Sequence, residues 1–478
     1  MNFKKALTVI LAFIMLVTMA VPSFAMSEAQ WADVWTTDDA KAGIIMFVGS
    51  DESQRNFSWY TKTENVPEVI ISEDTAFADA VSFKGTAVKA SEGDFANKVT
   101  VTGLKADTTY YYQCVSGDFI SDVYSFTTAD ASSFSAMYVT DIHISDNSEE
   151  NPDNLSNTSY LFSETYEDAL SKNSDISVIL SAGDQASEGL EAEYKALTAS
   201  PLFKTVSFAT SIGNHDRKGV EYRTFTNLPN QDTQSSITSY IGKNYWFVKG
   251  DVLFLMMDSN NANAEGHVDF IEAAISANPD VKWKVMMMHH DLYSGRIPHR
   301  ESENGLLRMI WGPIADEYGI DLVLLGHSHY YTVTNVLYGN RNIELLDPLM
   351  RDPAGTIYMV SCSITRPRGD DDELGLNKQV GFDYLTENAT YNILDCSEDS
   401  ITVKSYEVGA DEPFNSFTIT KTSAQGGHKT ETGYFQTMWN KLVRKISSIY
   451  ALFNNIGVYS DLKEDGFDVN LFDVITGK

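Results

Sequence analysis

Gly319-Ile320-Asp321-Leu322-Val323-Leu324-Leu325-Gly326-His327-Ser328-His329 is an apolar run that stops on a glycine and two histidines. Its length and its flanking glycines predict a strand covered on both faces, although periodicity alone leaves a helix segment open. Gly326 permits a tight turn, and His327 and His329 then present two imidazoles from one segment. A lone pair of this kind is compatible with ordinary hydrogen-bonded histidines. Repetition changes the reading. The run 134–139 leads into Asp141-Ile142-His143, and 176–180 leads into Gly183-Asp184. The run 206–209 leads into Gly213-Asn214-His215-Asp216, and 283–288 leads into His289-His290-Asp291. Six of the nine histidines sit in these terminators, and parallel strands in open α/β sheets share a carboxyl edge where ligands bind. Convergence of the five terminators on one crevice is therefore expected.

The chain has 478 residues, 43% of them apolar, enough for a large core and more than one domain. A net charge of −31 argues against nucleic-acid binding, which relies on Lys and Arg to neutralise phosphates. It leaves phosphorylated small molecules open, because bound dications reverse the local potential. Residues 1–25 combine Lys4-Lys5, an apolar run from Ala6 to Val21 and the small-x-small end Ser23-Phe24-Ala25. That pattern predicts a secretory signal peptide and an extracellular protein, with an uncleaved anchor as the alternative. Three cysteines are too few for a disulfide framework, and a Cys362–Cys396 bond is left open.

From residue 31 to 129 short apolar runs at sandwich-like spacing predict an all-β domain. From 131 to 422 strands alternate with helical patterns, including a hairpin at 243–248 and 252–257, so an α/β domain with mixed sheets is expected. Arg366 and Arg368 are candidates for gripping a substrate phosphate, and the acidic stretch 370–373 reads as a solvated turn. Residues 423–478 read as a linker followed by an amphipathic helical tail. Its apolar face, with Lys441, Arg444 and Lys445 nearby, suits packing on the enzyme, self-association or a cell surface.

Asp141, His143, Asp184, Asn214, His289, His327 and His329 are too many donors for one tetrahedral zinc, whereas two ions sharing a carboxylate use them all. Two ions can clamp the attacking and leaving oxygens of a displacement at phosphorus. The ordered set D-x-H, G-D, G-N-H-D, a strand-terminal His and G-H-x-H resembles the calcineurin-like metallophosphoesterases. With a preceding sandwich, the arrangement looks most like secreted bacterial purple acid phosphatases. The stretch from Leu104 to Tyr112 resembles a late strand of fibronectin type III-like domains, where a tyrosine hydroxyl bonds back to the backbone. The fold this implies is a mixed β-sandwich flanked by helices, preceded by a fibronectin III-like sandwich.

The resemblance also implies site roles. One metal would take Asp141, His143 and His329, the other Asn214, His289 and His327, with Asp184 bridging. His215 would contact phosphate and protonate the leaving oxygen, Asp216 would orient it, and His290 would be outer-shell or substrate-facing. The implied reaction is phosphomonoester hydrolysis by hydroxide held on two divalent or mixed-valence ions (Fe, Mn or Zn). Phosphodiester cleavage and a non-enzymatic adhesion or scaffold role are the alternatives. The tyrosine that colours purple acid phosphatases is replaced here by Ser187, which implies a colourless protein.

Overall fold

The computed structural model describes residues 26–129, 133–145, 154–232, 242–294, 301–369, 377–429, 434–467 and 469–471. The expected signal peptide and the acidic stretch 370–373 lie outside the described residues. Three parallel strands, β1 (Ser133–Val139), β2 (Ile176–Ser181) and β3 (Ser207–Thr210), lie at the centre of the larger sheet. Antiparallel strands Thr390–Ser397, Ser400–Glu407 and Asn415–Thr420 extend it beyond β1. The smaller sheet starts with the expected hairpin, Tyr245–Lys249 and Val252–Met256, and continues through parallel β4 (Trp283–Met287) and β5 (Leu322–Leu325) to Ile357–Val360.

The two sheets stack face to face, which explains the unbroken apolar runs. Successive side chains of a strand point to opposite faces. In β5, Leu322 and Leu324 enter the core between the sheets, while Val323 and Leu325 meet the outer helices. Helices α1 (Asn154–Lys172), α2 (Ala264–Ala277) and α3 (Glu301–Tyr318) supply those outer layers: α1 packs Phe162 and Tyr166 into the main core, α2 and α3 pack Ile271, Trp311 and Ile314 into the second. The domain is thus a mixed β-sandwich flanked by helices, as the sequence implied. At its ligand edge, the Tyr138 hydroxyl at the end of β1 donates to the Leu325 carbonyl at the end of β5 and ties the sheets together.

The N-terminal all-β unit packs Phe57, Trp59, Tyr112 and Phe126 between a five-stranded sheet and its end of the larger sheet. The backbone N–H of Lys105 donates to the Tyr110 hydroxyl at 2.9 Å, the corner bond that the sequence predicts. The unit is continuous with the α/β domain. Its strand Ile45–Val48 pairs in parallel with β3, Phe47 opposite Phe208, so both units share one sheet of eleven strands. Glu52 reinforces the joint, lying 2.5 Å from both Arg55 and Lys249.

Two further points follow from the packing. Cys114, Cys362 and Cys396 are buried free thiols, so no Cys362–Cys396 bond forms. The linker after residue 422 is pinned at both ends: Lys421 and His428 each lie 2.9 Å from the buried Asp321 carboxylate at the foot of β5. Past this anchor, helix α4 (Tyr434–Glu464) lies against α2 and α3.

Burial disfavours the charged form of Glu52, but Arg55 and Lys249 outweigh it and hold the carboxyl down to about 2. A folded-state value below the unfolded one, near 4.5, gives a contribution that is complete above pH 4.5 and is lost as pH falls toward 2. It amounts to about 3 kcal/mol. Urea unfolding followed by circular dichroism should show Glu52→Gln to be less stable than the parent at pH 7, with a flatter stability profile across that acid window.

Candidate metal centre

Each candidate ligand follows the end of an apolar strand, and the loops that carry them bend the chain into conformations that side chains resist. Asp141, His143, Asp184, His327 and His329 all have positive φ, between 49° and 74°. Such backbone strain costs on the order of 1–3 kcal/mol per residue and persists only where surrounding structure enforces it. Here it is enforced by cross-loop bonds: Asp141 N–H to the Gly183 carbonyl at 3.0 Å, His143 N–H to the Asp184 carbonyl at 2.9 Å, and Gly326 N–H to the His289 carbonyl at 2.8 Å. Gly326 itself does not take a left-handed φ. It is needed for close approach, because a Cβ there would lie 1.9 Å from the Thr140 hydroxyl and 2.5 Å from Asp141 Oδ2.

The donors fall into two groups. In the first, His329 Nε2 lies 3.1 Å from Asp141 Oδ1 and 3.2 Å from His143 Nε2. In the second, His289 Nε2 lies 3.0 Å from Asn214 Oδ1, 3.1 Å from His327 Nδ1 and 3.2 Å from Asp184 Oδ2. Asp184 Oδ2 also lies 3.8 Å from His143 Nε2, so it faces both groups. The structure therefore brings all seven sequence-derived ligands together in the expected partition.

This donor set fits a pair of cations. Ligand atoms about 2.1 Å from a shared ion stand roughly 3.0–3.4 Å apart, close to the spacings above, with His143 Nε2 and Asp141 Oδ1 wider at 3.7 Å. The other polar atom of Asp141, Asp184, His289 and His329 is already committed elsewhere. Asp141 Oδ2 accepts from the His327 N–H at 2.8 Å and the Thr140 hydroxyl at 2.7 Å, and Asp184 Oδ1 accepts from the His215 N–H at 2.8 Å. Each carboxylate is left with one oxygen for the crevice. His289 Nδ1 bonds the Ala182 carbonyl at 2.9 Å and His329 Nδ1 bonds the Arg366 carbonyl at 2.8 Å, which selects Nε2 as the coordinating nitrogen. Asp141, Asp184 and His289 would hold the charges of such a site. Burial opposes ionisation of Asp184, but the His289 charge overcomes it and brings the carboxyl to about 2. Burial likewise opposes protonation of His289, and Asp184 overcomes it, lifting the imidazole to about 9. A cation would take over the role of that proton.

Among the remaining candidates, the expected pairing of Asp216 with His215 is the one that comes out differently. His215 reaches the crevice, but its Nδ1 bonds the Ser187 carbonyl at 2.8 Å and not the Asp216 carboxylate. Asp216 instead accepts from the N–H groups of Gly213 and Ala186 and from the Tyr194 hydroxyl, clamping the ligand loops together. Burial first, and then the Asp184 charge, raise its carboxyl to about 7. His290 is buried, bonds Ser259 Oγ at 2.8 Å and packs its ring 4.6 Å from that of His327, so it supports a ligand and does not line the crevice. Arg366 and Arg368 do line it, in a cavity of about 330 Å³ shared with His143, Asp184, Asn214 and His215. Arg366 donates to Ser187 Oγ at 3.2 Å, which joins the replaced tyrosine position to the substrate side. The sequence reading missed Ser363 and Thr365, whose hydroxyls donate to the Asp141 and Ile142 carbonyls at 2.6 and 2.8 Å. Nothing in a Ser-Ile-Thr stretch distinguishes such a brace from an ordinary loop.

The fold and the grouped donors carry a calcineurin-like phosphoesterase domain with a preceding all-β domain. Residues 134–331 match the calcineurin-like phosphoesterase family, and residues 41–128 match the purple acid phosphatase N-terminal domain. It is similar to two uncharacterised proteins of Mycobacterium tuberculosis, strains CDC 1551 / Oshkosh and ATCC 25618 / H37Rv. Each is 23% identical over 181 residues, covering 31% of this chain and 34% of the relative. The chain thus spans about a third of the length of these curated relatives. Its fold is similar to that of purple acid phosphatase PPD1 from yellow lupin (Lupinus luteus) seeds, with a TM-score of 0.65, 14% identity and coverage of 83% of this chain and 75% of that one. It is also similar to the structure of PhoD, with a TM-score of 0.54, 12% identity and coverage of 86% and 98%.

Thermal melting should rise when Mn²⁺ or Zn²⁺ is added, by the equivalent of about 2.7 kcal/mol at a hundredfold excess over Kd. Asp184→Ala should abolish the rise, and a melting curve indifferent to metal in the parent would contradict the site. The metal-loaded protein should show no visible tyrosinate band, since Ser187 stands where the family's tyrosine would be.

Proposed function

We propose that this chain is an exported dinuclear phosphohydrolase acting on phosphomonoesters, with His215 as the general acid. The observation that carries the reading is Asp184 Oδ2, 3.2 Å from His289 Nε2 and 3.8 Å from His143 Nε2, a carboxylate oxygen set to be shared by two ions. Export is supported by the basic, apolar and small-residue pattern of residues 1–25.

Two bound ions would polarise the phosphoryl group and lower the pKa of a water beside it. The chain's own residues do the rest. Arg366 and Arg368 bring two guanidinium groups to one wall of the cavity, a charge match for the dianion of a terminal phosphate. Ser187 Oγ holds Arg366 in place from behind. The Ser187 carbonyl accepts the Nδ1 proton of His215, so Nε2 is the nitrogen available to the cavity. A proton held there can pass to the departing ester oxygen, leaving a neutral imidazole that still donates through Nδ1. The ring is kept in register by its edge contact with His143, centroids 4.7 Å apart.

Chelator should abolish hydrolysis of para-nitrophenyl phosphate, and Asp184→Ala should do the same with metal in excess. His215→Ala should lower kcat by about 10²–10⁴-fold for an alkyl phosphate, whose leaving oxygen needs the proton. The loss should be much smaller for the nitrophenyl ester, whose leaving group departs unprotonated. Arg366→Ala should act mainly on KM. Faster turnover of bis(para-nitrophenyl) phosphate than of the monoester would replace monoester by diester specificity, and absence of turnover with metal bound would leave the scaffold reading.

A further inference from the structure

Helix α4 buries one face and leaves a second apolar face that none of the described residues covers. Asn440, Val443, Ser447, Ser448 and Ala451 turn inward, where Ser448 Oγ accepts from the Glu265 N–H at 3.3 Å. These mostly small residues let the helix lie close on α2 and α3. Arg444 adds an ion pair to Glu317 on α3, and beyond the helix end Phe467 and Val469 pack with Leu462 into the main core. The helix is therefore held along its length, and its outward side chains are not waiting for a place in this fold.

Those outward side chains are large. Trp439, Leu442, Ile446, Ile449, Tyr450 and Phe453 are each between 50% and 65% exposed. Their spacing of three and four residues, closed by the neighbouring pair Ile449 and Tyr450, places them on one stripe. Leu306 and Met309 of α3, 46% and 44% exposed, continue the stripe across a groove of about 220 Å³ between the two helices. Half of each of six such side chains amounts to on the order of 500 Å² of apolar surface, at the upper end of what a monomer leaves in water.

Charge selects the occupant. The whole chain has 66 acidic residues against 35 basic ones, yet from Gln436 to Phe453 there is no Asp or Glu. The same segment carries Lys441, Arg444 and Lys445, and the two lysines are exposed beside the stripe. A second copy of the chain, meeting this face with the same segment, would offer the same cations and no carboxylate. A surface of anionic lipid headgroups over acyl chains answers both features at once. No helix of the described residues is long and apolar enough to cross a membrane, so the contact would lie along the surface.

We propose that the outward face of α4, from Trp439 to Phe453, seats this protein on an anionic lipid surface, with Lys441 and Lys445 meeting headgroups and the apolar stripe entering the acyl boundary. This goes beyond the phosphohydrolase reading and does not depend on it.

Flotation of the full chain with vesicles tests it. The protein should float with mixed phosphatidylcholine–phosphatidylglycerol vesicles and stay behind with phosphatidylcholine alone. Lys441→Glu with Lys445→Glu should reduce partitioning by on the order of 20-fold or more. Ile446→Ser, Ile449→Ser and Phe453→Ser combined should remove it, and because these positions are exposed the melting temperature should hold in both variants. Three results would overturn the proposal: no flotation of the parent, flotation that both variants retain, or sedimentation showing a dimer that the serine variant dissociates while the parent ignores vesicles.

Discussion

Asp184 must reach two sets of donors with a single oxygen, and the architecture around it is shaped by that demand. Its other oxygen is spent on the His215 backbone, its own φ is positive, and the space behind it is filled only because residue 213 is glycine. A Cβ on Gly213 would sit 2.0 Å from Asp184 Oδ1. Bonds between the loops, from Asp141 to Gly183 and from His143 to Asp184, hold neighbouring ligand segments in the same strained conformation. Backbone strain at five of the seven candidate ligands is offset by this lattice of hydrogen bonds and by the sheets beneath.

The two stacked sheets explain why such loops can be held at all. β1, β2 and β3 come from one sheet, β4 and β5 from the other, and their carboxyl ends meet over a close-packed core. The Tyr138 hydroxyl crosses between the sheets at that edge. The N-terminal unit widens the base: its strand Ile45–Val48 adds to β3, and Tyr112 donates to the Lys204 carbonyl at 2.7 Å. A buttress joined by shared strand pairing resists movement of β3, and β3 delivers Asn214 and His215.

Surface character divides along the same body. The crevice gathers imidazoles, guanidinium groups and a few buried carboxylates in a chain that is otherwise strongly acidic.

Much of this was legible in the amino-acid order, because the information is local. An apolar run ending in Gly-His-Ser-His or Gly-Asn-His-Asp states both that a strand is covered on two faces and that donors follow its end. The hairpin at Gly250 and the Tyr110 corner are equally local. The roles of Asp216 and His290 were not legible. Both sit beside candidate ligands in sequence, but contacts with Tyr194 and Gly213 for one, and Ser259 and His327 for the other, depend on how distant segments stack. The same holds for the pinned linker at Asp321, for the continuous eleven-stranded sheet and for the choice of Nε2 over Nδ1 on His289 and His329. The sequence alone thus determined which residue types leave which strands, since side-chain alternation and burial act over a few residues. Only the tertiary structure decided which donor faces which, since that depends on the packing distance between sheets that meet more than a hundred residues apart.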